Sequence, residues 1–153
     1  MPSHHESRQL PFAQRQLFEL VADVEKYPAF LEWFVAARVR QRVGNWLEVD
    51  QVVRFKGVRA RFTTHAVLDP PRRIDIICHD PPFKRFDQRW TFVSIGDNRT
   101  IVEYGGALEL RSLVLQHAMQ LLFDEPQIAK LTMDAFVRRA HQLYGTPAGP
   151  PIS

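Results

Sequence analysis

Apolar residues near the N-terminus recur with the spacing of a helix. Residues 3–10 alternate in the manner of a short strand, and Pro11 ends it. Between residues 13 and 24 the apolar positions lie at i, i+3, i+4 and i+7, which places them on one helix face; they are Leu17, Leu20, Val21 and Val24. Pro28 suits the first turn of a second, short helix that we expect to end near Trp33.

The period then changes from that of a helix to that of a strand. Six segments alternate between apolar and polar residues, and turn residues such as Gly, Pro, Asn and Asp separate them. The segments are 36–43, 46–56, 58–68, 73–79, 83–95 and 100–110. From residue 112 to residue 144 the pattern is helical again. We therefore predict an α+β fold, in which a curved antiparallel sheet of about seven strands wraps around a long C-terminal helix.

The alternation assigns one face of the sheet a mainly apolar surface that also carries several polar groups. The inward polar residues are Gln51, Thr64, Cys78, Gln88 and Tyr104. A buried amide or hydroxyl without a partner costs about 1–3 kcal/mol. Either these groups pair with one another or with trapped water, or they meet the polar atoms of a ligand inside a cavity.

The opposite face of the sheet is rich in arginine. Its arginines are Arg38, Arg40, Arg42, Arg59, Arg61, Arg85 and Arg89. One interpretation is a solvated face on which Glu48, Asp50 and Asp87 pair with arginines on neighbouring strands. The other is an anion-binding surface.

Composition is that of one globular domain. The chain has 153 residues, 45% of them apolar, and a net charge of +3, which permits an anionic partner without demanding one. We expect a single domain over residues 1–145 and a disordered tail over residues 146–153.

The single cysteine favours a reducing compartment, and the first ten residues are too polar for a signal peptide. No apolar run reaches the roughly 18 residues that indicate a membrane-spanning helix.

Sequence motifs for catalysis are absent. The chain contains no hydrolase elbow, P-loop or dinucleotide fingerprint, and its six histidines show no metal-ligand spacing. We place His4 and His5 in a frayed N-terminus and expect Glu103 and His65 to face outward. That leaves the inner face without a carboxylate or histidine for acid–base catalysis. The residues alone therefore favour binding, with no catalytic or metal site.

Four stretches of the chain together resemble a known family. They are LFELVADVEKYPAFLEWFVAARV, FKGVRARFTT, PPFKRFDQRWTF and FDEPQIAKLTMDAFVRRAHQLYG. They are similar to the coenzyme Q-binding START-domain family, also called polyketide cyclase/dehydrase-like, which includes the ribosome-association toxin of bacteria. The resemblance covers roughly residues 3 to 145 and implies a helix-grip fold around a lipid-sized cavity.

Several positions depart from the usual pattern of that family. They are Glu32, Ala60, Pro81, Gly105 and Gly106. The paired glycines widen the expected cavity, since glycine in a strand often marks a bend or a close approach. Pro126 falls within the last helical segment, where it costs about 3 kcal/mol unless the helix kinks or restarts. Asp124 and Gln127 have the spacing of a capping box, which favours a restart.

The resemblance implies a carrier or chaperone of ubiquinone or a similar isoprenoid lipid, which takes part in cellular respiration. It implies no covalent cofactor and no DNA partner, and it places the protein in the cytoplasm, with transient contact at the inner membrane. Thr64, Gln88 and Tyr104 are expected near the quinone head group. The tail is expected along Phe55, Phe62, Trp90, Met119 and Leu122.

A helix grip also places the segment after the first helix at the open end of its cavity. The resemblance therefore assigns Tyr27, Trp33 and Phe34 to the entrance and Phe30 to the core.

Two other functions remain open from the same resemblance. One is a toxin-like protein that binds the large ribosomal subunit and inhibits translation, for which the arginine face supplies phosphate contacts. The other is a polyketide cyclase or aromatase, for which we identify Tyr104 and Gln88 in the cavity but no inward acid or base.

Overall fold

The computed structural model describes residues 3–55, 57–81, 83–114, 117 and 125–145. Its strands are β1 Ser3–Leu10, β2 Phe34–Val43, β3 Trp46–Phe55, β4 Val58–Asp69, β5 Arg73–Ile77, β6 Phe83–Gly96 and β7 Arg99–Leu110. The helices are α1 Gln14–Ala22, a 3-10 helix Val24–Ala29 and α2 Glu125–Tyr144. The predicted tail, residues 146–153, lies outside the described residues.

All seven strands belong to one antiparallel sheet with the order β1-β7-β6-β5-β4-β3-β2. Strands β2 to β7 form the predicted meander, and β1 adds to its far edge by pairing with β7. Tight turns join neighbouring strands: Gly44 (φ 58°) and Asn98 (φ 56°) adopt the left-handed conformation in two of them. The α+β fold predicted from the pattern and the helix grip implied by the family resemblance are both confirmed.

The second short helix differs from its predicted bounds. The second short helix begins at Val24 and ends at Ala29, so Pro28 lies inside it instead of starting it. The turn closes because the backbone N–H groups of Phe30 and Leu31 both donate to the Tyr27 carbonyl, at 3.1 and 2.8 Å. At the C-terminus residues 113, 114 and 117 are helical, and α2 is described from Glu125 to Tyr144. Asp124, part of the predicted capping box, lies outside the described residues.

The main core lies where α1 and α2 pack on the sheet. Phe92, Leu31 and Met133 are almost fully buried there. The Phe136 ring on α2 packs edge-on against Trp90 of β6, with ring centroids 4.9 Å apart. A second, smaller cluster joins Phe62, Cys78 and Phe83 at the end of the sheet near the β3–β4 turn. The space between these two clusters contains the candidate site.

Candidate functional site: a cavity between the sheet and the terminal helix

A cavity of about 530 Å³ lies between the concave face of the sheet and α2. Every second residue of β4 from Val58 to Leu68 lines it, as the alternation predicts, and so do Leu47, Val49, Gln51 and Val53 of β3. Ile128, Ala129, Thr132 and Phe136 close it from α2. The volume falls in the range of small-molecule sites, and the lining is mostly apolar with a few polar groups, as in such sites.

The structure brings together most of the residues predicted to contact a ligand. Phe62, Thr64, Gln88, Trp90 and Tyr104 all line the cavity. The predicted tail contacts Met119 and Leu122 lie outside the described residues, as does the side chain of Phe55. The lining residues of α2 were missing from the prediction, because a helix pattern alone does not tell which part of the helix crosses the concave face.

His4 is the main residue that sequence reasoning missed. It is not in a frayed terminus: it lies in β1, lines the cavity, and its Nε2 is 2.9 Å from Oε1 of Gln88. Its ring centroid lies 5.2 Å from that of Tyr104. The signal was present, since strand parity places His4 on the same face as the buried Leu10. The expectation of an inner face without histidine was therefore wrong.

Gly106 lies between His4 and Gln88 in the sheet. It pairs with His4 on one side of β7 and with Gln88 on the other, so the two side chains belong to strands roughly 10 Å apart. A Cβ at position 106 would lie 2.0 Å from the Asp87 carbonyl oxygen and 2.9 Å from the Gln88 Cα, so it would meet the main chain of β6. The glycine thus reflects a close backbone approach, as the sequence suggested.

A second polar pair lies on another part of the wall. The Thr64 hydroxyl donates to Oε1 of Gln51 at 3.2 Å, and both side chains are buried. The two residues are diagonal neighbours on β3 and β4, because Val49 is the direct partner of Thr64. Two strands, β4 and β5, lie between β3 and β6 in the sheet order, so this pair and the His4–Gln88 pair occupy different regions of the cavity.

The cavity reaches the surface at the end near the β3–β4 turn. Val58 lines it and is nevertheless 55% exposed. Trp33 and Phe34, two of the predicted entrance residues, are half-buried lining residues at this end. The Trp33 carbonyl accepts a bond from the Arg54 N–H at 2.8 Å, and Phe34 pairs with Val53.

Tyr27 is a buried part of the cavity wall, which corrects its predicted place at the entrance. It is 8% exposed, and its hydroxyl donates to the Val21 carbonyl at the end of α1. Its ring packs edge-on against Phe34 and Phe136, with centroids 5.3 and 5.2 Å away. Burial raises its pKa. Phe30, expected in the core, is half-buried and packs beside it.

Comparison with known proteins agrees with this geometry. Residues 10–129 match the family model described as polyketide cyclase / dehydrase and lipid transport. The chain belongs to this family. It is 32% identical to the ribosome association toxin RatA of Pseudomonas aeruginosa over 136 residues, which cover 89% of this chain and 93% of the toxin.

The chain is also similar to a second protein in sequence and to a solved structure in fold. The chain is 25% identical to coenzyme Q-binding protein COQ10 homolog B, mitochondrial, of Xenopus laevis, over 93% of this chain and 59% of that protein. Its structure is similar to the Zhui aromatase/cyclase of Streptomyces sp. R1128, with a TM-score of 0.80, 15% identity and coverage of 97% and 98% of the two chains. At that identity the likeness shows a shared fold.

Two titratable side chains near the sheet lie outside the cavity. His65 faces outward, where its Nε2 lies 3.2 Å from a Glu48 oxygen and its ring stacks on Trp46. Glu103 is also outside and accepts a bond from the Thr91 hydroxyl at 3.3 Å. Among the described lining residues there is no carboxylate, which leaves His4 as the titratable group beside Tyr104.

The outer arginines divide into two groups. Arg40 lies 3.5 Å from an Asp50 oxygen, and Arg61, which also borders the cavity, lies 3.9 Å from the same carboxylate. Arg89 bonds Asp75 across strands and Arg85 bonds Asp87 along one strand, both at 2.6 Å. For the other predicted arginines the described part of the chain provides no carboxylate within ion-pair distance; these are Arg38, Arg42 and Arg59. No helix in the described ranges is long and apolar enough to cross a membrane.

Proposed function

We propose that this protein is a non-catalytic carrier or chaperone of an isoprenoid quinone or a closely similar lipid. The observation that carries the proposal is the cavity of about 530 Å³, which is apolar over most of its wall and carries polar groups in two separate regions. Water in such a cavity finds few partners, whereas a mainly apolar ligand gains burial at about 25 cal/mol per Å². The named likeness to a coenzyme Q-binding protein supplies the ligand class.

The placement of the polar groups suggests how the ligand lies. His4, Gln88 and Tyr104 surround the head group in this proposal. The Trp90 indole is tilted against the Tyr104 ring, with ring centroids 4.4 Å apart. The apolar tail then runs past Phe62 toward the surface at Val58. The protein would work in the cytoplasm and collect or deliver its ligand at the inner membrane during respiratory electron transport.

Quenching of tryptophan fluorescence tests the proposal with a control inside the same chain. Trp33 and Trp90 line the cavity, whereas Trp46 stacks on His65 at the outer face. Titration with decylubiquinone should quench the W46F variant strongly and saturably. The W33F/W90F variant, which keeps only Trp46, should show little quenching. Equal quenching of the two variants, or none in either, would exclude quinone binding in the cavity.

A second candidate function is binding to the large ribosomal subunit. It is supported by the likeness to the ribosome association toxin over nearly the whole chain and by the exposed guanidinium groups of Arg38, Arg42 and Arg59. Sedimentation of a lysate through a sucrose gradient separates the two functions. Migration with large subunits that weakens steeply with salt supports ribosome binding, and its loss in an R38E/R42E/R59E variant would assign it to this surface. A protein found only in soluble or membrane fractions rejects it.

A cyclase-like activity has less support from the geometry. His4 lies beside Tyr104, but its Nε2 is already engaged by Gln88. A general base must reach the proton that it removes, and the described lining residues include no carboxylate and no second histidine to act with His4 and Tyr104.

A further inference from the structure

Two buried glutamines in the cavity wall have the same unexplained arrangement. Gln51 is 8% exposed and Gln88 is 9% exposed, and both side chains face the cavity. In each, the amide oxygen contacts a protein group: Thr64 for Gln51 and His4 for Gln88. Neither amide nitrogen makes a hydrogen bond within the described parts of the chain. Buried amides are normally satisfied, so two half-satisfied ones facing one cavity point to a ligand.

The neighbours of each glutamine determine which end of its amide faces the ligand. An amide oxygen can only accept, so the His4 Nε2 that contacts it must carry a proton and donate. The Thr64 hydroxyl likewise donates to Gln51. Both contacts hold the amide oxygens against the wall and turn the NH₂ groups toward the cavity. The two glutamines therefore present hydrogen-bond donors to whatever occupies it.

From this polarity we infer that the cavity selects the oxidised, carbonyl form of its ligand over the reduced, hydroxyl form. The inference rests on the proposed function, because it takes the ligand to be a quinone. A quinone oxygen is an acceptor and matches the NH₂ group of Gln88. Each quinol hydroxyl brings a proton that needs an acceptor, and it would have to share a glutamine oxygen that already accepts from His4 or Thr64. A quinone oxygen instead meets an NH₂ group that has no other partner among the described residues. The hydroxyl groups of Thr64 and Tyr104 serve in either role and do not discriminate.

His4 acts as a positioning residue for this selection. It holds Gln88 in one orientation across Gly106, and without it the amide of Gln88 could rotate and offer either end. His4→Leu should therefore reduce the preference for the quinone while leaving the cavity apolar. His4→Gln restores a donor at the same place and should recover part of the preference.

The test compares binding of decylubiquinone and of decylubiquinol, kept reduced under argon, to the purified protein by titration calorimetry. Wild-type protein should bind the quinone about tenfold more tightly, the factor expected when one buried hydrogen bond is lost or left unmade. Gln88→Glu keeps the size of the side chain and an oxygen for His4 but removes the NH₂ donor. It should lower quinone affinity about tenfold and leave quinol affinity unchanged or higher. Gln142→Glu makes the same change on the exposed face of α2 and should leave both affinities unchanged.

The outcomes separate this inference from the proposed function. Equal affinities of the wild-type protein for the two forms, or a preference for the quinol, would overturn the inference and leave the carrier function intact. If neither form binds while circular dichroism shows a folded protein, the proposed function fails and the inference fails with it. An unchanged quinone preference in folded Gln88→Glu protein would show that the Gln88 amide is not the selecting donor and would overturn the inference.

Discussion

Gly106→Ala is the substitution expected to damage the fold and the site together. A Cβ at this position would lie 2.0 Å from the carbonyl oxygen of Asp87 and 2.9 Å from the Cα of Gln88. Both neighbours are main-chain atoms, so no side chain can rotate away from the clash. Strands β6 and β7 would have to separate by roughly 1 Å or more to reach a normal contact distance.

The size of the effect follows from what this separation disturbs. Two ladder hydrogen bonds beside position 106 weaken, at about 1 kcal/mol each, and overpacking adds about 1–3 kcal/mol. We expect a loss of about 3 kcal/mol from the free energy of unfolding, a large fraction of the roughly 5–15 kcal/mol that stabilises an ordinary domain. Separation of the two strands would also shift Gln88 away from His4, so ligand affinity should fall.

Urea denaturation followed by far-ultraviolet circular dichroism measures the loss, and Gly44→Ala provides the matched control. Gly44 has a left-handed φ of 58°, and an added Cβ there meets no atom within 4 Å. Gly44→Ala should lower the free energy of unfolding only by the cost of a left-handed backbone conformation at alanine, about 1 kcal/mol. If Gly106→Ala costs no more than Gly44→Ala, the close approach of β6 and β7 at this point is wrong.

Two further substitutions test other buried contacts. The Thr100 hydroxyl is fully buried and donates to the Phe12 carbonyl at 2.8 Å. Thr100→Val should therefore lower the free energy of unfolding, measured by urea denaturation, by about 2 kcal/mol. A loss as small as that of the control Thr91→Val, about 0.5 kcal/mol, would show that this hydrogen bond contributes nothing. Burial raises the pKa of Tyr27, so the Tyr27 hydroxyl keeps its proton in the folded protein at a pH near 10, where the unfolded chain loses it. The free energy of unfolding should therefore fall as the pH rises above about 10. Tyr27→Phe should make that fall shallower without removing it, since burial raises the pKa of Tyr144 too; an unchanged pH profile would contradict the burial of the Tyr27 hydroxyl.

The sheet could be predicted closely because each of its faces has one environment. In β4 every second residue from Val58 to Leu68 lines the cavity, as the alternation predicts. The alternate positions carry Arg59, Arg61 and His65. Period-two alternation reports this directly, since a slip of one residue would exchange the two faces.

Other parts of the site depend on contacts between distant segments, which local pattern does not contain. His4 belongs to an eight-residue strand that is held by β7, about 100 residues later in the chain. The burial of Tyr27 likewise depends on Phe136 of α2. The polarity of the glutamine amides follows from their partners His4 and Thr64, and no single-segment signal reveals it.

Mass spectrometry of an organic-solvent extract of the purified protein is the decisive experiment for the carrier function. We predict a molecule with a quinone head group and an isoprenoid tail. Ala66 faces the cavity, and the next residue, Val67, is 52% exposed on the opposite face. Ala66→Phe should therefore fill the cavity and abolish co-purification of the ligand, whereas Val67→Phe should retain it. A folded wild-type protein that yields no quinone or other isoprenoid lipid, or an Ala66→Phe variant that yields as much as Val67→Phe, would contradict a lipid carrier built around this cavity.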